Sequence, residues 1–280
     1  MNKEILIICR GGGDLATGIV HRLFRAGYQV LILETAEPAA IRRQVSFCEA
    51  VYEGTATVEG VTAERICTAK KQAVEEVLQR GRIPLLVDPD GRSIEVLKPD
   101  VVVDAIIAKK NLGTYKEMAP LVIGIGPGFV AGKDVHLVVE SMRGHNLARI
   151  LETGSALANT GIPGNIGGYT KERVIHAAAE GYMKNLHQIG DVVQKGEEIA
   201  RIYEQMSPDG VFSGRFVSVE ATIPGVLRGL IREGYHFQKG FKIADIDPRE
   251  SELANCFTIS DKASSIGGSV LEAVCRYVNG

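Results

Sequence analysis

The feature that most constrains the fold is a glycine-rich turn near the start of the chain, between an apolar run and a helical pattern. Residues 4–9 form an apolar run of strand length, and residues 11–18 read GGGDLATG. Apolar residues then recur at helical spacing, and a second apolar run over 28–33 ends in Glu34. This order of strand, glycine turn, helix and strand predicts the first βαβ unit of a parallel sheet.

The turn matches G-x-G-x-x-A through Gly11, Gly13 and Ala16, and Glu34 lies 23 residues after Gly11. In dinucleotide-binding folds such glycines let backbone approach a pyrophosphate at a helix N-terminus, and the acid hydrogen-bonds a ribose. A glycine turn that binds nothing is the alternative. The pattern predicts a nucleotide site, with these cofactor-binding residues: Gly11, Gly12, Gly13, Asp14, Ala16, Thr17, Glu34, Gly124, Gly126 and Gly128.

Four further apolar runs continue the alternation of strands and helices, over 83–87, 101–108, 121–125 and 135–139. Continuous apolar strands of this kind indicate a parallel sheet that is covered on both faces. The second glycine turn, within 124–128, follows one of these runs and is expected at the same edge of the sheet as the first. It is not a P-loop, because proline and aspartate replace the glycine and the hydroxyl residue that a P-loop requires.

Polar side chains inside or shortly after these runs are the catalytic candidates. A carboxylate inside an apolar run either pairs with a nearby donor or faces the ligand crevice, since a buried unpaired charge is costly. A cysteine that acts as a nucleophile would need to be exposed and activated. The candidates are Asp104, Lys109, Lys110, His145 and Cys48. Each of them could instead have a purely structural role.

The second half of the chain contains an internal repeat. The pattern G-x8-G-x4-K-G-x2-I-A-x-I begins at Gly181 and again 44 residues later at Gly225. It resembles the barrel-sandwich hybrid of lipoyl and biotinyl domains, which would imply a carrier lysine between the two halves. The connecting stretch, 204–219, has no lysine, so neither lipoate nor biotin is expected. Residues 159–168 indicate a linker or ordered loop.

The predicted fold class is therefore α/β, with a Rossmann-like parallel sheet followed by a small barrel-sandwich-hybrid-like β domain and a C-terminal helix. The predicted domains are a dinucleotide-binding domain over 1–150, the hybrid β domain over 151–250, and a tail with its helix over 251–280.

Composition narrows the class of partner. The net charge of -2 favours neither nucleic acid nor an anionic membrane, and no apolar run has the length of a membrane span. The five cysteines are scattered without a C-x-x-C pair, which indicates reduced thiols in a cytoplasmic protein and no metal site. A homo-oligomer that binds a small-molecule nucleotide is expected.

Long phrases of the sequence together point to one family. They include RGGGDLATG (10–18), DAIIAKKNLGT (104–114), GIGPGFVAG (124–132) and KIADIDPRES (242–251). Over nearly the whole chain, such phrases resemble the YqeB-type accessory proteins of the selenium-dependent molybdenum hydroxylase system. The resemblance implies a maturation factor that serves a molybdenum hydroxylase client, distantly similar to those of xanthine and carbon monoxide dehydrogenases, but it implies no established catalytic residues. The ligand expected is a molybdopterin dinucleotide or NAD(P). The alternative is an NAD(P)-dependent oxidoreductase acting on a small substrate.

Overall fold

The computed structural model describes residues 5–158, 161 and 164–280. The chain divides into two compact units. The first comprises Met1–Pro38, Val45–Thr160 and Ile259–Gly280, and the second comprises Ala39–Gln44 and Gly161–Thr258. The C-terminal helix thus belongs with the first unit, whereas the predicted boundaries set it apart. Residues 159, 160, 162 and 163 of the predicted linker lie outside the described part.

The first unit is built on one nine-stranded sheet, in the order β3-β4-β5-β2-β1-β6-β7-β8-β9. Its strands are β1 (Leu6–Arg10), β2 (Gln29–Glu34), β3 (Thr55–Val58), β4 (Val61–Ile66), β5 (Ile83–Val87), β6 (Val101–Asp104), β7 (Leu121–Ile125), β8 (Leu137–Val139) and β9 (Ile150–Leu151). Its helices are α1 (Asp14–Arg25), α2 (Ala50–Glu53), α3 (Lys71–Gln79), α4 (Ser93–Leu97) and α5 (Asp261–Asn279).

This sheet is mixed, which corrects the predicted Rossmann-like parallel sheet. The strands from β4 to β8 pair in parallel, but β3 pairs antiparallel with β4 and β9 pairs antiparallel with β8. Between β6 and β7 the chain makes only a short 3-10 turn at Lys116–Met118, and the described stretch from β7 to β8 contains no helix. Apolar runs reveal which strands are buried, but not the direction in which edge strands pair.

Helices α1 and α5 lie side by side and run in the same direction. Gly18 of α1 faces Ala263 and Gly267 of α5, and a Cβ at Gly18 would lie 2.7 Å from that of Ala263. Further along, the Tyr28 hydroxyl lies 3.5 Å from Cys275 Sγ. Small residues let the two backbones approach closely. Both helices therefore begin at the edge of the sheet where the parallel strands end.

The second unit consists of two four-stranded antiparallel sheets, in the orders β10-β17-β15-β12 and β14-β13-β11-β16. The strands are β10 (Val174–His176), β11 (Gly181–Asn185), β12 (Val192–Val193), β13 (Glu198–Met206), β14 (Phe212–Glu220), β15 (Gly225–Leu230), β16 (His236–Phe237) and β17 (Lys242–Asp247). Its core is formed by the inward side chains of both sheets.

Residues 44 positions apart occupy equivalent places in these sheets. Gly181 begins β11 and Gly225 begins β15, both at positive φ, and a Cβ at either would clash with a carbonyl oxygen, of Tyr203 or Asp247. The predicted barrel-sandwich hybrid is nevertheless wrong as the fold class. The protein is a mixed α/β protein dominated by its nine-stranded sheet. Turn glycines mark where strands begin and do not determine which strands pair, since β12 pairs with β15 and β16 pairs with β11.

Candidate functional site

The first glycine turn is held by its own neighbours. The Gly11 N–H donates to the Leu33 carbonyl at 2.8 Å. The Gly12 N–H donates to Glu34 Oε1 at 2.7 Å, and Glu34 Oε2 accepts from the Thr35 N–H at 2.8 Å. Burial raises the pKa of Glu34, and these two backbone hydrogen bonds oppose the rise. The acid that was expected to bind a ribose therefore binds the turn itself.

One side of the turn is also covered by backbone. Thr17 Oγ1 donates to the Gly12 carbonyl at 3.1 Å and accepts from the Phe47 N–H at 2.9 Å. The Cys48 N–H donates to the same carbonyl at 2.9 Å. Cys48 is buried, and burial together with nearby carboxylates raises the pKa of its thiol. It is therefore neither exposed nor activated, as a transferase cysteine must be.

The other side of the turn is open at Gly13. Gly13 is the N-cap of α1, with φ -69° and ψ -175°, and no side chain caps the helix. A Cβ at Gly13 would meet nothing within 4 Å. Asp14 follows in the first turn of the helix, and Ala16 is buried behind it. The N–H groups of an uncapped first turn carry the positive end of the helix dipole.

Asp104 takes part in a buried network at the end of β6. Asp104 Oδ2 accepts from Thr114 Oγ1 at 2.5 Å, and Oδ1 accepts from the Ile106 N–H at 3.1 Å. Arg10 Nη1 lies 3.5 Å from Asp104 Oδ2 and also donates to Thr114 Oγ1. Burial raises the pKa of Asp104, against the hydrogen bonds and the nearby guanidinium. Asp104 therefore has a structural role, because this network joins the two ends of the 105–113 loop.

That loop presents Lys109 and Lys110, which are both exposed. Ile107 and Lys109 have φ of +61° and +62°, a region that β-branched and other non-glycine residues rarely occupy. Gly128 lies against the backbone of Lys110, where a Cβ would come within 2.8 Å of its Cα. Such strain persists only where the surroundings hold the backbone. The backbone at the two lysines is therefore held by the network and by the second glycine turn.

The remaining predicted residues have packing roles or lie elsewhere. A Cβ at Gly124 would lie 2.6 Å from the Phe129 ring, and one at Gly126 would clash with Ser141 Oγ. The Nε2 atom of His145 lies 3.1 Å from a guanidinium nitrogen of Arg149, and His145 is exposed.

Sequence reasoning missed Lys262. It is half-buried in the first turn of α5, and its side chain makes neither a hydrogen bond nor an ion pair within the part of the chain that the structure describes. Burial and the charge of Arg143 lower its pKa, whereas Asp14, Glu140 and Asp261 oppose that shift. The sequence shows a lysine two residues after a helix-capping serine, but it does not show which part of the protein α5 packs against.

The acids around Lys262 have other partners. Arg143 holds Asp261 with two hydrogen bonds, of 2.6 and 2.9 Å. The two oxygens of Glu140 accept from the N–H groups of Met142 and Leu157, at 2.7 and 2.8 Å. The edge where α1 and α5 begin thus combines two helix N-termini with a lysine that has no bonded counter-ion, an arrangement that favours anions.

Two classes of feature are absent from the described residues. Over 5–158, 161 and 164–280, no group of three or more His, Cys, Asp or Glu side chains is placed to hold a metal ion. Across the same ranges, no helix has the length and apolar character needed to span a bilayer.

These features define a mixed α/β protein in which a glycine turn and two parallel helix N-termini share one edge of the sheet. A scan against models of known protein families gave no match. The chain is 47% identical over 274 residues to the uncharacterized protein YqeB of Escherichia coli (strain K12), covering 98% of this chain and 48% of that protein. The chain belongs to the YqeB family and spans about half the length of that relative.

Solved structures are similar only at a distance. Product-bound ectoine utilization protein EutE (DoeB) of Ruegeria pomeroyi is 11% identical with a TM-score of 0.28, over 86% of this chain and 85% of that one. An aspartoacylase family protein of Mesorhizobium loti is 11% identical with a TM-score of 0.30, over 86% and 84%. A succinylglutamate desuccinylase/aspartoacylase of Rhodobacter sphaeroides is 12% identical with a TM-score of 0.27, over 86% and 84%. Likeness at this level carries no argument about activity.

The predicted function is corrected here. The maturation factor, which the family resemblance implied, and the alternative NAD(P)-dependent oxidoreductase were both expected to bind a dinucleotide at a Rossmann-type site. The sheet is not of that type, and Glu34 and the Gly12 N–H are bonded to each other. Which small molecule binds is a separate question and stays a prediction.

Proposed function

We propose that the first unit binds a small molecule through an anionic group, at the edge where α1 and α5 begin. The observation that carries this proposal is the environment of Lys262. Its ammonium group is half-buried without a bonded counter-ion in the described structure, beside the open, uncapped N-terminus of α1. A half-buried charge in this state is stabilised when an anion provides the missing partner.

The electrostatics of this edge select the kind of anion. A helix N-terminus carries roughly half a positive charge, and that of the uncapped α1 adds to the charge of Lys262. The charge of Arg143 is offset by its ion pair with Asp261. Asp14, in the first turn of α1, provides a negative charge that opposes a multiply charged ligand. A monoanionic group, such as a carboxylate or a phosphate diester, is therefore the expected class.

Calorimetric titration tests the site. Pyruvate, lactate, succinate and inorganic phosphate are titrated into the parent and into Lys262→Gln. We expect Lys262→Gln to bind the preferred anion about tenfold more weakly, or about 1.4 kcal/mol. Lys195→Gln is the matched control, since Lys195 is an exposed lysine of the second unit. If the parent binds none of these anions, or both variants bind as the parent does, the proposal is wrong.

A second variant tests the open side of the turn. Gly13→Val places a β-branched side chain where the space is free and where φ is ordinary for any residue. We expect normal folding, checked by thermal melting, with loss of anion binding because the side chain shields the first-turn N–H groups. Parent-like affinity in a folded Gly13→Val protein would locate the site elsewhere.

We also propose a molybdenum hydroxylase as the partner, in the cytoplasm. The support for this is the resemblance of long phrases to the accessory proteins of the selenium-dependent molybdenum hydroxylase system. Affinity purification of the tagged chain from its own cells tests it, since recovery of a molybdenum hydroxylase is expected and recovery of other proteins only would contradict it. Mass spectrometry of any copurifying small molecule tests the predicted dinucleotide in the same sample.

A further inference from the structure

We propose that a cleft beside α4 binds an organic cation, namely an amine carried on an apolar body. The cleft has a volume of about 770 Å³ and lies within the first unit, between the α4 region and residues 113–120, which lead into β7. Sites for small molecules commonly have volumes of roughly 300–1,000 Å³. None of the lining residues belongs to α1 or α5, so this cleft is separate from the proposed anion site.

The inner surface of the cleft is apolar. Ile94 and Ala119 are only 3% and 8% exposed, and Pro99 is buried. Met118 is half-buried, and Tyr115 adds an aromatic side chain that is 46% exposed. A ligand that covers this surface removes apolar area from water, which favours a ligand with an apolar body.

The lining also contains four carboxylates, and two of them have partners. Asp90 Oδ2 lies 3.1 Å from Arg92 Nη2, so these two charges offset each other. Asp100 Oδ2 accepts a hydrogen bond of 2.9 Å from the Leu6 N–H. That bond orients the carboxylate of Asp100 but leaves its negative charge in place.

The other two carboxylates are Glu95 and Glu117, which are exposed. Within the described ranges, the side chain of neither glutamate makes a hydrogen bond or an ion pair. Lys98 also lines the cleft and, over the same ranges, has no carboxylate at ion-pair distance. Three carboxylates without a cation, set against Lys98 alone, give the cleft a net negative charge. This charge attracts a cation and repels an anion.

The apolar surface and the charge together select an organic cation. A metal ion would gain nothing from apolar side chains, because hard cations are bound by oxygen ligands. A neutral apolar molecule would gain nothing from the carboxylates. An ammonium group is attracted both to carboxylates and to an aromatic ring such as that of Tyr115, and an apolar body attached to it covers Ile94 and Ala119.

Calorimetric titration with three probes of the same apolar body tests the proposal. Phenethylamine is cationic, phenethyl alcohol is neutral and phenylacetate is anionic. We expect the amine to bind the parent about tenfold more tightly than the alcohol, because an exposed ion pair contributes up to about fivefold and several carboxylates act together. Phenylacetate should bind more weakly than the alcohol. If the parent does not bind the amine, or binds all three probes equally, the proposal is wrong.

Substitutions in the lining separate the effect of charge from that of shape. Glu95→Gln and Glu117→Gln nearly preserve the side-chain shape, and together they should weaken amine binding about tenfold and leave alcohol binding unchanged. Tyr115→Leu keeps an apolar side chain and should weaken amine binding about threefold. Glu272→Gln is the matched control, since Glu272 is an exposed acid of α5 outside the cleft.

Thermal melting establishes that each variant is folded. If the double glutamine variant binds the amine as the Glu272→Gln control does, the carboxylates do not attract the ligand and the proposal is overturned. If this variant loses affinity for the alcohol as much as for the amine, the loss does not arise from charge, and the assignment of a cation is likewise overturned.

Discussion

Replacing Gly267 by alanine tests the close approach of α1 and α5, on which the position of Lys262 depends. A Cβ at Gly267 would lie 2.6 Å from the Gly18 carbonyl oxygen and 3.1 Å from the Gly18 carbonyl carbon, whereas ordinary contacts begin at 3.4 Å. Both atoms belong to helix backbone and cannot rotate away as a flexible side chain does. The two helices must therefore separate, and overpacking of this kind costs about 1–3 kcal/mol.

Gly268 is the matched control at the next position of the same helix. No atom lies within 4 Å of the position that its Cβ would occupy. Alanine in a helix interior is favoured over glycine by about 1 kcal/mol, and this gain applies to both positions. Gly268→Ala should therefore raise the free energy of unfolding by about 1 kcal/mol. When the free energies of unfolding of the two variants are subtracted, the helix-propensity gain cancels. The difference is then the cost of the close contact at Gly267, about 1–3 kcal/mol.

Urea denaturation followed by far-ultraviolet circular dichroism measures this difference. The signal reports on the first unit, since the described α-helices α1 to α5 all belong to it. Thermal melting should place Gly267→Ala below Gly268→Ala by about 2–4 °C for each kcal/mol. If the two substitutions stabilise the protein equally, the helices do not touch at Gly18 and the reasoning is refuted.

Three further predictions concern the buried polar groups. Arg10→Met should lower the free energy of unfolding in urea by about 3–5 kcal/mol, because Asp104, 2% exposed, keeps a buried charge without its guanidinium; parent-like stability would contradict this. The pKa of Glu34 is higher in the folded than in the unfolded protein, so the folded state binds this proton more tightly. The resulting stabilisation is complete below the unfolded-state pKa and is lost as the pH rises through the folded-state pKa. As the pH rises above the ordinary glutamate pKa of about 4.3, urea titrations should therefore show a larger loss of stability in the parent than in Glu34→Gln, and parallel pH profiles would be the opposing result. Iodoacetamide should modify the exposed Cys67 and spare Cys48 in the folded protein, as read by mass spectrometry, since Cys48 is buried and its pKa is raised; a modified Cys48 would show that its segment opens.

Local features of the structure follow from the sequence because their causes are local. The apolar run before the first glycine turn forms β1, and the helical pattern after it forms α1, within Asp14–Arg25. The three glycines of the 44-residue repeat, and their equivalents in its second copy, all have a positive φ that other residues rarely adopt. In each case a few neighbouring residues determine the backbone conformation, so the sequence is sufficient to predict it.

Only the tertiary structure decides what these elements are for. Glu34 has the spacing of an acid that reads a ribose, but the position of the Gly12 backbone makes it a partner of the turn. Antiparallel edges of the sheet arise from pairings between strands that a burial pattern does not distinguish. The environment of Lys262 arises when α5 packs on α1 and brings together residues from opposite ends of the chain. Burial and charge at such a place are sums over neighbours distant in sequence, and the fold alone determines which neighbours those are.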